Sequence, residues 1–343
     1  MENSNDSAHP PGSILHTIAS YLDMVRVTRS KRTYLSYKNG LNRFTELLEE
    51  RNLDPAKSPV NALPEIAIGW FAEWLSDAYA PATTHLYLTA VKNLYEYILA
   101  EDLAHPNLVR VQQLIRQRSR RSGQRLPQFP VDDIETVLEK CEALITAPTS
   151  DSNEHLRNLR DRAFLLTLAD TGLRVHEAVA LRRGDLDWQE FQAIIIGKGD
   201  KQAVVRFSQR SIAALKDYLQ ARAGRDGNTG RPLPSLALFA RHDIGAGKIT
   251  KTIHTNTGRD IVRQRVIEFL GEKAAGTITP HSFRHYFVTR VLQSSGNLKL
   301  AQRLARHTSI AVTQRYAHLS DNELDQGYYD AIEDNTKRTS QEN

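Results

Sequence analysis

The stretch TPHSFRHYF, residues 279–287, sets two histidines and an arginine in what reads as the opening turns of a helix. Thr279 suits the cap and Pro280 the first helical position. His281 and Arg284 then fall three residues apart on one face, so their donors converge. The first turn also carries free amides and the positive end of the helix dipole, which favour an anion. A metal is the competing ligand, because His281 and His285 are four apart. The glutamate of an H-E-x-x-H site is missing, however, and Arg284 would set a fixed positive charge beside the ion. The site is therefore expected to hold no metal.

Upstream, ADTGLRVHEAVAL repeats the theme: a helix through RAFLLTLAD stops at Gly172, and Arg174 stands at the start of the next, three residues before Glu177. The plain alternative is an Arg174–Glu177 surface pair, worth only about 0.3–0.5 kcal/mol. Brought together, Arg174 and Arg284 would suit one phosphodiester, since each planar guanidinium makes a two-pronged contact with phosphate oxygens. Lys198, in the Gly-punctuated turn GKGDKQ, has the reach of a long amine at a hairpin tip. Downstream, RLARHTSIAVTQRYAHLS carries His307 and Tyr316. By itself that tyrosine is indistinguishable from core or surface filler.

Elements must position these groups. Residues 14–104 read as helices: Leu35, Leu41, Phe44, Leu47 and Leu48 lie near helical spacing, as do Leu88, Val91, Leu94, Tyr95 and Ile98. The entries TRSKRTY and APATT supply capping hydroxyls and amides, and the first adds Lys31 and Arg32, groups that also grip phosphates. Between residues 110 and 125, RVQQLIRQRSRRSGQR holds Arg110, Arg116, Arg118, Arg120, Arg121 and Arg125 with no acid, and LPQFP follows. This reads as a basic linker between two domains, of the kind that would cross a DNA backbone. From 127 onward the pattern is mostly helical, except for β-branched runs at 193–196 and 203–205 that predict a hairpin.

Composition narrows the class. The 343 residues, 40% hydrophobic and 25% charged, can bury a sizeable core, and no run approaches the ~18 apolar residues of a membrane span. The polar opening MENSNDSAHPPG lacks the apolar centre of a secretory signal and reads as a disordered arm over 1–13. A lone Cys141 rules out an internal disulfide framework and fits a reducing compartment. The protein is expected in the cytoplasm, with no membrane partner. Charge is uneven: 15 Lys/Arg face 13 Asp/Glu in 1–130, 28 face 20 in 131–316, and 2 face 7 in 317–343. A basic body with an acidic tail fits a polyanionic partner.

Arg174 in TGLRVHEAVAL, Lys198 in GKGDK, His281 and Arg284 in HSFRH, His307 in ARHTSI and Tyr316 in TQRYAHL together resemble, in order and gaps, the catalytic set of the tyrosine recombinases, the phage integrase and Xer-type enzymes. SKRTYLSYKNGLNRF and ATTHLYLTAVKNLYEYILAEDLAHPN are similar to that family's core-binding domain. Two departures stand out: His176 replaces a small hydroxyl residue common in relatives, and Arg306 replaces the glycine that usually precedes the third catalytic position.

The resemblance implies a mainly α fold: a helical, SAM-like core-binding domain over 14–109, the linker 110–126, and a mostly helical catalytic domain over 127–320 with a small antiparallel sheet, together clamping DNA. It implies catalytic roles for Arg174, Lys198, His281, Arg284, His307 and Tyr316, support from Glu177, and DNA contacts by Lys31, Arg32, Arg116, Arg118, Arg120 and Arg121. Strands would be cut and rejoined through a 3′-phosphotyrosine and a Holliday junction, without metal, ATP or cofactor. The partners implied are duplex DNA with paired half-sites and three further protomers, identical or related, in association with the nucleoid. The acidic tail 321–343 would dock on a neighbour. A type IB topoisomerase-like enzyme and a non-catalytic DNA-binding factor are the alternatives.

Overall fold

The computed structural model describes residues 10–119, 130–196, 202–243, 250–307 and 309–314. The chain divides into two compact units, Met1–Gln124 and Arg125–Asn343.

The first unit is helical. Hydroxyls open its first two helices: Ser13 accepts from the His16 amide at 3.2 Å to begin α1 (Ile14–Thr28), and Ser30 from the Thr33 amide at 3.2 Å to begin α2 (Lys31–Glu50). Next come α3 (Ile66–Ala78) and α4 (Pro81–Ala100), the latter starting on a proline whose missing N–H costs nothing there. Leu41, Phe44, Leu47 and Leu48 of α2 close on Phe71 of α3 and on Leu88, Val91, Leu94, Tyr95 and Ile98 of α4, all fully or almost fully buried. Leu35 is the exception at 47% exposure, lying a turn and a half before the buried run.

Two expectations need correction here. Residues 10–13 are not a loose arm: Ser13 is buried, pairs with Pro59 and caps α1, and the Gly12 carbonyl accepts from the Val60 amide at 2.9 Å. Residues 1–9 lie outside the described part. Nor does the linker begin at 110, because α5 (Leu108–Arg118) occupies that stretch, with Val111 and Leu114 buried and the helix packed on α3. Arginine density hid the apolar stripe that these residues form with Leu108 and Ile115.

The second unit opens with α6 (Val131–Glu142) and the nearly all-buried α7 (Ser152–Thr171), which packs against α6, α8 (Val175–Ala180), α9 (Gln209–Ala221) and α12 (Pro280–Ser295). Asp151 caps α7 by accepting from the Asn153 and Glu154 amides. Gly172 ends it in the left-handed region at φ +59, and a Cβ there would fall 2.4 Å from the Phe287 ring of α12, so two independent constraints demand glycine. The sheet is antiparallel, in the order β1 (Leu186–Asp187), β2 (Gln192–Ile196) and β3 (Gln202–Arg206), with Ile196 opposite Gln202. Its hairpin falls where the β-branched runs predict it, and β1 is too short to carry a sequence signal. The remaining helices are α10 (Ala223–Gly227), α11 (Thr255–Leu270), α13 (Leu298–Ala305) and α14 (Ile310–Gln314). No helix among the described residues is long and apolar enough to cross a membrane.

Candidate active site

Arg174 occupies the N-cap of α8 with extended backbone, two residues after the turn that stops α7. The Glu177 carboxylate folds back to it, accepting from the Arg174 amide at 2.8 Å and from Nη1 at 2.9 Å. This is not a solvated surface pair: the Glu177 side chain is only 4% exposed, whereas Arg174 is 43% exposed. Burial alone would raise the Glu177 pKa, but the Arg174 amide, Arg306 and the Arg174 guanidinium outweigh it and hold the carboxyl below its usual range. The carboxylate therefore tethers Arg174 from behind while the guanidinium stays open to solvent.

The start of α12 follows the sequence pattern. Thr279 caps it, with its Oγ1 accepting from the Ser282 amide, and Pro280 takes the first position. Arg284, one turn in, is buried, and its guanidinium donates to the carbonyls of Gly172 and Ala305, the ends of α7 and α13. Both carbonyls sit at the negative pole of a helix, which suits a cation. His281 is exposed and its ring meets that of His285 edge to face at 4.3 Å. Partial burial, then Arg284 and Arg174, lower the His281 pKa. His285 is pushed down to about 4 by burial, His281 and Arg284.

His307 follows α13, and its Nδ1 lies 2.9 Å from Thr313 Oγ1 of α14. Burial, then Arg284 and Arg174, push its pKa down to about 4. Arg306, just before it, takes the left-handed conformation at φ +56, which for a non-glycine residue costs roughly 1–2 kcal/mol. Its Nη2 lies 3.3 Å from Glu177 Oε2 and 3.4 Å from the Gly172 carbonyl.

The structure thus gathers Arg174, Glu177, His281, Arg284 and His307 from α8, α12 and the α13–α14 turn. Arg174 and Arg306 share the Glu177 carboxylate, Arg284 lies close enough to lower the pKa of the histidines, and the imidazoles are neutral at neutral pH. Such a site binds and polarises an anion. Lys198, between β2 and β3, and Tyr316, two residues past α14, lie outside the described residues. Among the described residues no group of three or more His, Cys, Asp or Glu side chains could hold a metal ion.

Two kinds of residue escaped sequence reasoning. Thr313, fully buried, orients His307, and nothing marks one threonine in TSIAVTQ as special. Beside α8 an open groove of about 940 Å³ is lined by Arg182, Arg231, Arg241 and Lys251 with His176 and His254, basic side chains drawn from segments too far apart in sequence to read as a patch. Among the suggested DNA contacts, Lys31 and Arg32 are exposed in the first turn of α2, where no acid balances them against the helix dipole. Arg116 and Arg118 instead sit at the favourable C-terminal end of α5. Arg118 is committed to structure, pairing with Glu73 of α3 at 3.0 Å and packing its stem over Gly69. Arg120 and Arg121 lie outside the described residues.

Residues 132–323 match the model of the phage integrase family. The tyrosine recombinase XerC of Pelobacter propionicus is 32% identical over 87% of this chain and 88% of its own length. Two solved structures share the fold with a TM-score of 0.65 each. One, the XerH site-specific recombinase bound to palindromic difH substrate in a post-cleavage complex, is 20% identical over 91% of this chain and 83% of that one. The other, the Tn1549 transposon integrase in complex with a circular intermediate DNA, is 16% identical over 93% and 99%. Recombination prevails over the relaxing-enzyme and non-catalytic alternatives, and the chain belongs to the phage integrase family, the tyrosine-type site-specific recombinases.

Proposed function

We propose that the chain cuts and rejoins duplex DNA with Tyr316 as nucleophile, the cationic cluster holding the scissile phosphodiester. One observation carries this reading: the hydrogen-bond partners of Arg174 and Arg284 are adjacent, with His281 and His307 inside the electrostatic reach of both arginines. A phenol with pKa near 10 is a weak nucleophile at neutral pH and must shed its proton as it attacks. His281, neutral because its pKa is lowered, accepts that proton. The Tyr316 oxygen bonds to phosphorus and the bond to O5′ breaks. Arg174 and Arg284 stabilise the charge spread over the nonbridging oxygens, and His307 adds a hydrogen bond. Lys198 protonates the departing O5′. The 3′-phosphotyrosine conserves the ester's energy, so attack by the 5′ hydroxyl of another strand reseals DNA without ATP.

Exposed Lys31 and Arg32 in the first unit and the groove beside α8 in the second supply phosphate contacts to the duplex. The acidic segment 321–343, outside the described residues, docks on a neighbouring protomer in a tetramer on two synapsed sites. Deleting it leaves binding of a single site intact and removes cooperativity in a gel-shift titration; unchanged cooperativity would refute that assignment.

The decisive experiment uses a duplex carrying the site found by footprinting DNA flanking the gene. The parent protein should form an adduct that survives denaturing electrophoresis and should exchange strands between two labelled duplexes. Tyr316→Phe should bind equally and do neither. Relaxation without exchange would point to the topoisomerase alternative, and an adduct formed by Tyr316→Phe would remove the tyrosine from its role.

A further inference from the structure

We propose that Arg306 is a positioning residue for strand cleavage, a cross-brace that fixes Arg174 and Arg284 relative to one another. The inference rests on the reading that these two arginines hold the scissile phosphate.

The backbone provides the first argument. Residue 306 ends α13 in the left-handed region at φ +56, a conformation glycine adopts freely and a bulky side chain adopts under strain. An arginine kept there must return something through its side chain. That side chain is only 12% exposed, so it does not simply add surface charge.

The hydrogen bonds say what it returns. Nη2 of Arg306 lies 3.3 Å from Glu177 Oε2, and Glu177 Oε1 accepts from Arg174 Nη1. The same Nη2 lies 3.4 Å from the Gly172 carbonyl, which also accepts from Arg284 Nη1. Arg306 therefore touches the anchor of each catalytic arginine. Nη1 bonds the Leu304 carbonyl at 3.2 Å and stiffens the same turn, while Arg284 donates to Ala305 next door. The turn, both arginines and the following His307 become one unit. The guanidinium reaches three acceptors through two nitrogens, Nη1 to the turn and Nη2 to both anchors, whereas an ammonium has a single nitrogen to place.

The test compares Arg306→Gly, whose backbone suits the turn, and Arg306→Lys, which keeps the charge, with the parent on a nicked duplex of the footprinted site. DNA affinity, melting temperature and the rate of covalent adduct formation at saturating DNA are measured in parallel. Both variants should bind within about threefold of the parent, while the adduct forms about tenfold or more slowly in Arg306→Gly and at an intermediate rate in Arg306→Lys. Added to Arg174→Lys, the glycine change should cost little more, because brace and braced residue act as a unit. A parental rate in Arg306→Gly would overturn the proposal. So would melting temperature, affinity and rate falling together in both variants, the mark of a purely structural helix end. Failure of the underlying function would show instead in the parent, which would form no adduct.

Discussion

The Arg284 guanidinium donates to the carbonyl of Gly172, the residue that ends α7 two positions before Arg174. One turn of backbone thus aims one arginine and anchors the other. Carbonyl oxygens orient Arg284, whereas Arg174 is steered by the Glu177 carboxylate. The two cations are tuned differently: Arg284 is buried and Arg174 open. This suits an anion that arrives from solvent at Arg174 and is completed by Arg284.

That turn should be intolerant of change. In Gly172→Ala a Cβ in left-handed backbone meets the Phe287 ring at 2.4 Å, so strain and overpacking add to about 2–4 kcal/mol. Urea unfolding should show the loss. Adduct formation should fall by more than stability alone accounts for, because both arginines move with the turn. Gly172→Ala combined with Phe287→Ala should recover part of the adduct rate.

Glu177 makes a pH prediction. Its carboxyl is held below the usual range, so the unfolded chain binds the proton more readily than the folded one. The sign follows: its stabilisation is fully present above the unfolded value of about 4.3 and drains away as pH falls through the lower folded value. Glu177→Gln should be less stable than the parent by about 1–3 kcal/mol at neutral pH and show a shallower acid limb, read from urea midpoints between pH 7 and 3.

Local chemistry was legible in the sequence wherever one segment carried it: Thr279 and Pro280 at the head of α12, Gly172 at the end of α7, and the hairpin strands. Placing Arg174, His281, Arg284 and His307 at one site needed the resemblance, since no spacing rule joins segments a hundred residues apart. Contacts set by tertiary packing were out of reach. Arg306 lies far along the chain from Glu177, and only folding makes them neighbours. Arg118 read as a free phosphate contact because Glu73, on another helix, was invisible as its partner. Helix α5 was lost in its own charge: Leu108, Val111, Leu114 and Ile115, which pack on the core, are interleaved with arginines.

The imidazoles make a second pH prediction, with an opposite local cause. Burial and the arginines lower the pKa of His281 and push His307 down to about 4, below the 6.5 of free imidazole. Both rings are thus neutral throughout the physiological range. At subsaturating DNA, the acid limb of adduct formation should lie below pH 6.5. A bound phosphodiester favours the imidazolium, so the limb at saturating DNA should lie at higher pH than the limb for free enzyme. Coincident limbs near 6.5 would mean that neither ring titrates in the cationic site.

Thr313 separates orientation from chemistry at His307. Its hydroxyl lies 2.9 Å from Nδ1, and the side chain is fully buried. A hydroxyl that donates to Nδ1 puts the ring proton on Nε2, the tautomer that can offer a hydrogen bond to a phosphate oxygen. Thr313→Val keeps shape and removes the bond, leaving the ring free to change tautomer and tilt. The adduct rate should fall by about three- to tenfold, less than in His307→Ala, with folding stability reduced by about 1 kcal/mol. In the double variant Thr313→Val with His307→Ala the threonine change should add nothing, because its effect passes through the ring. Additive losses would show that Thr313 acts on the packing of α14 rather than on His307.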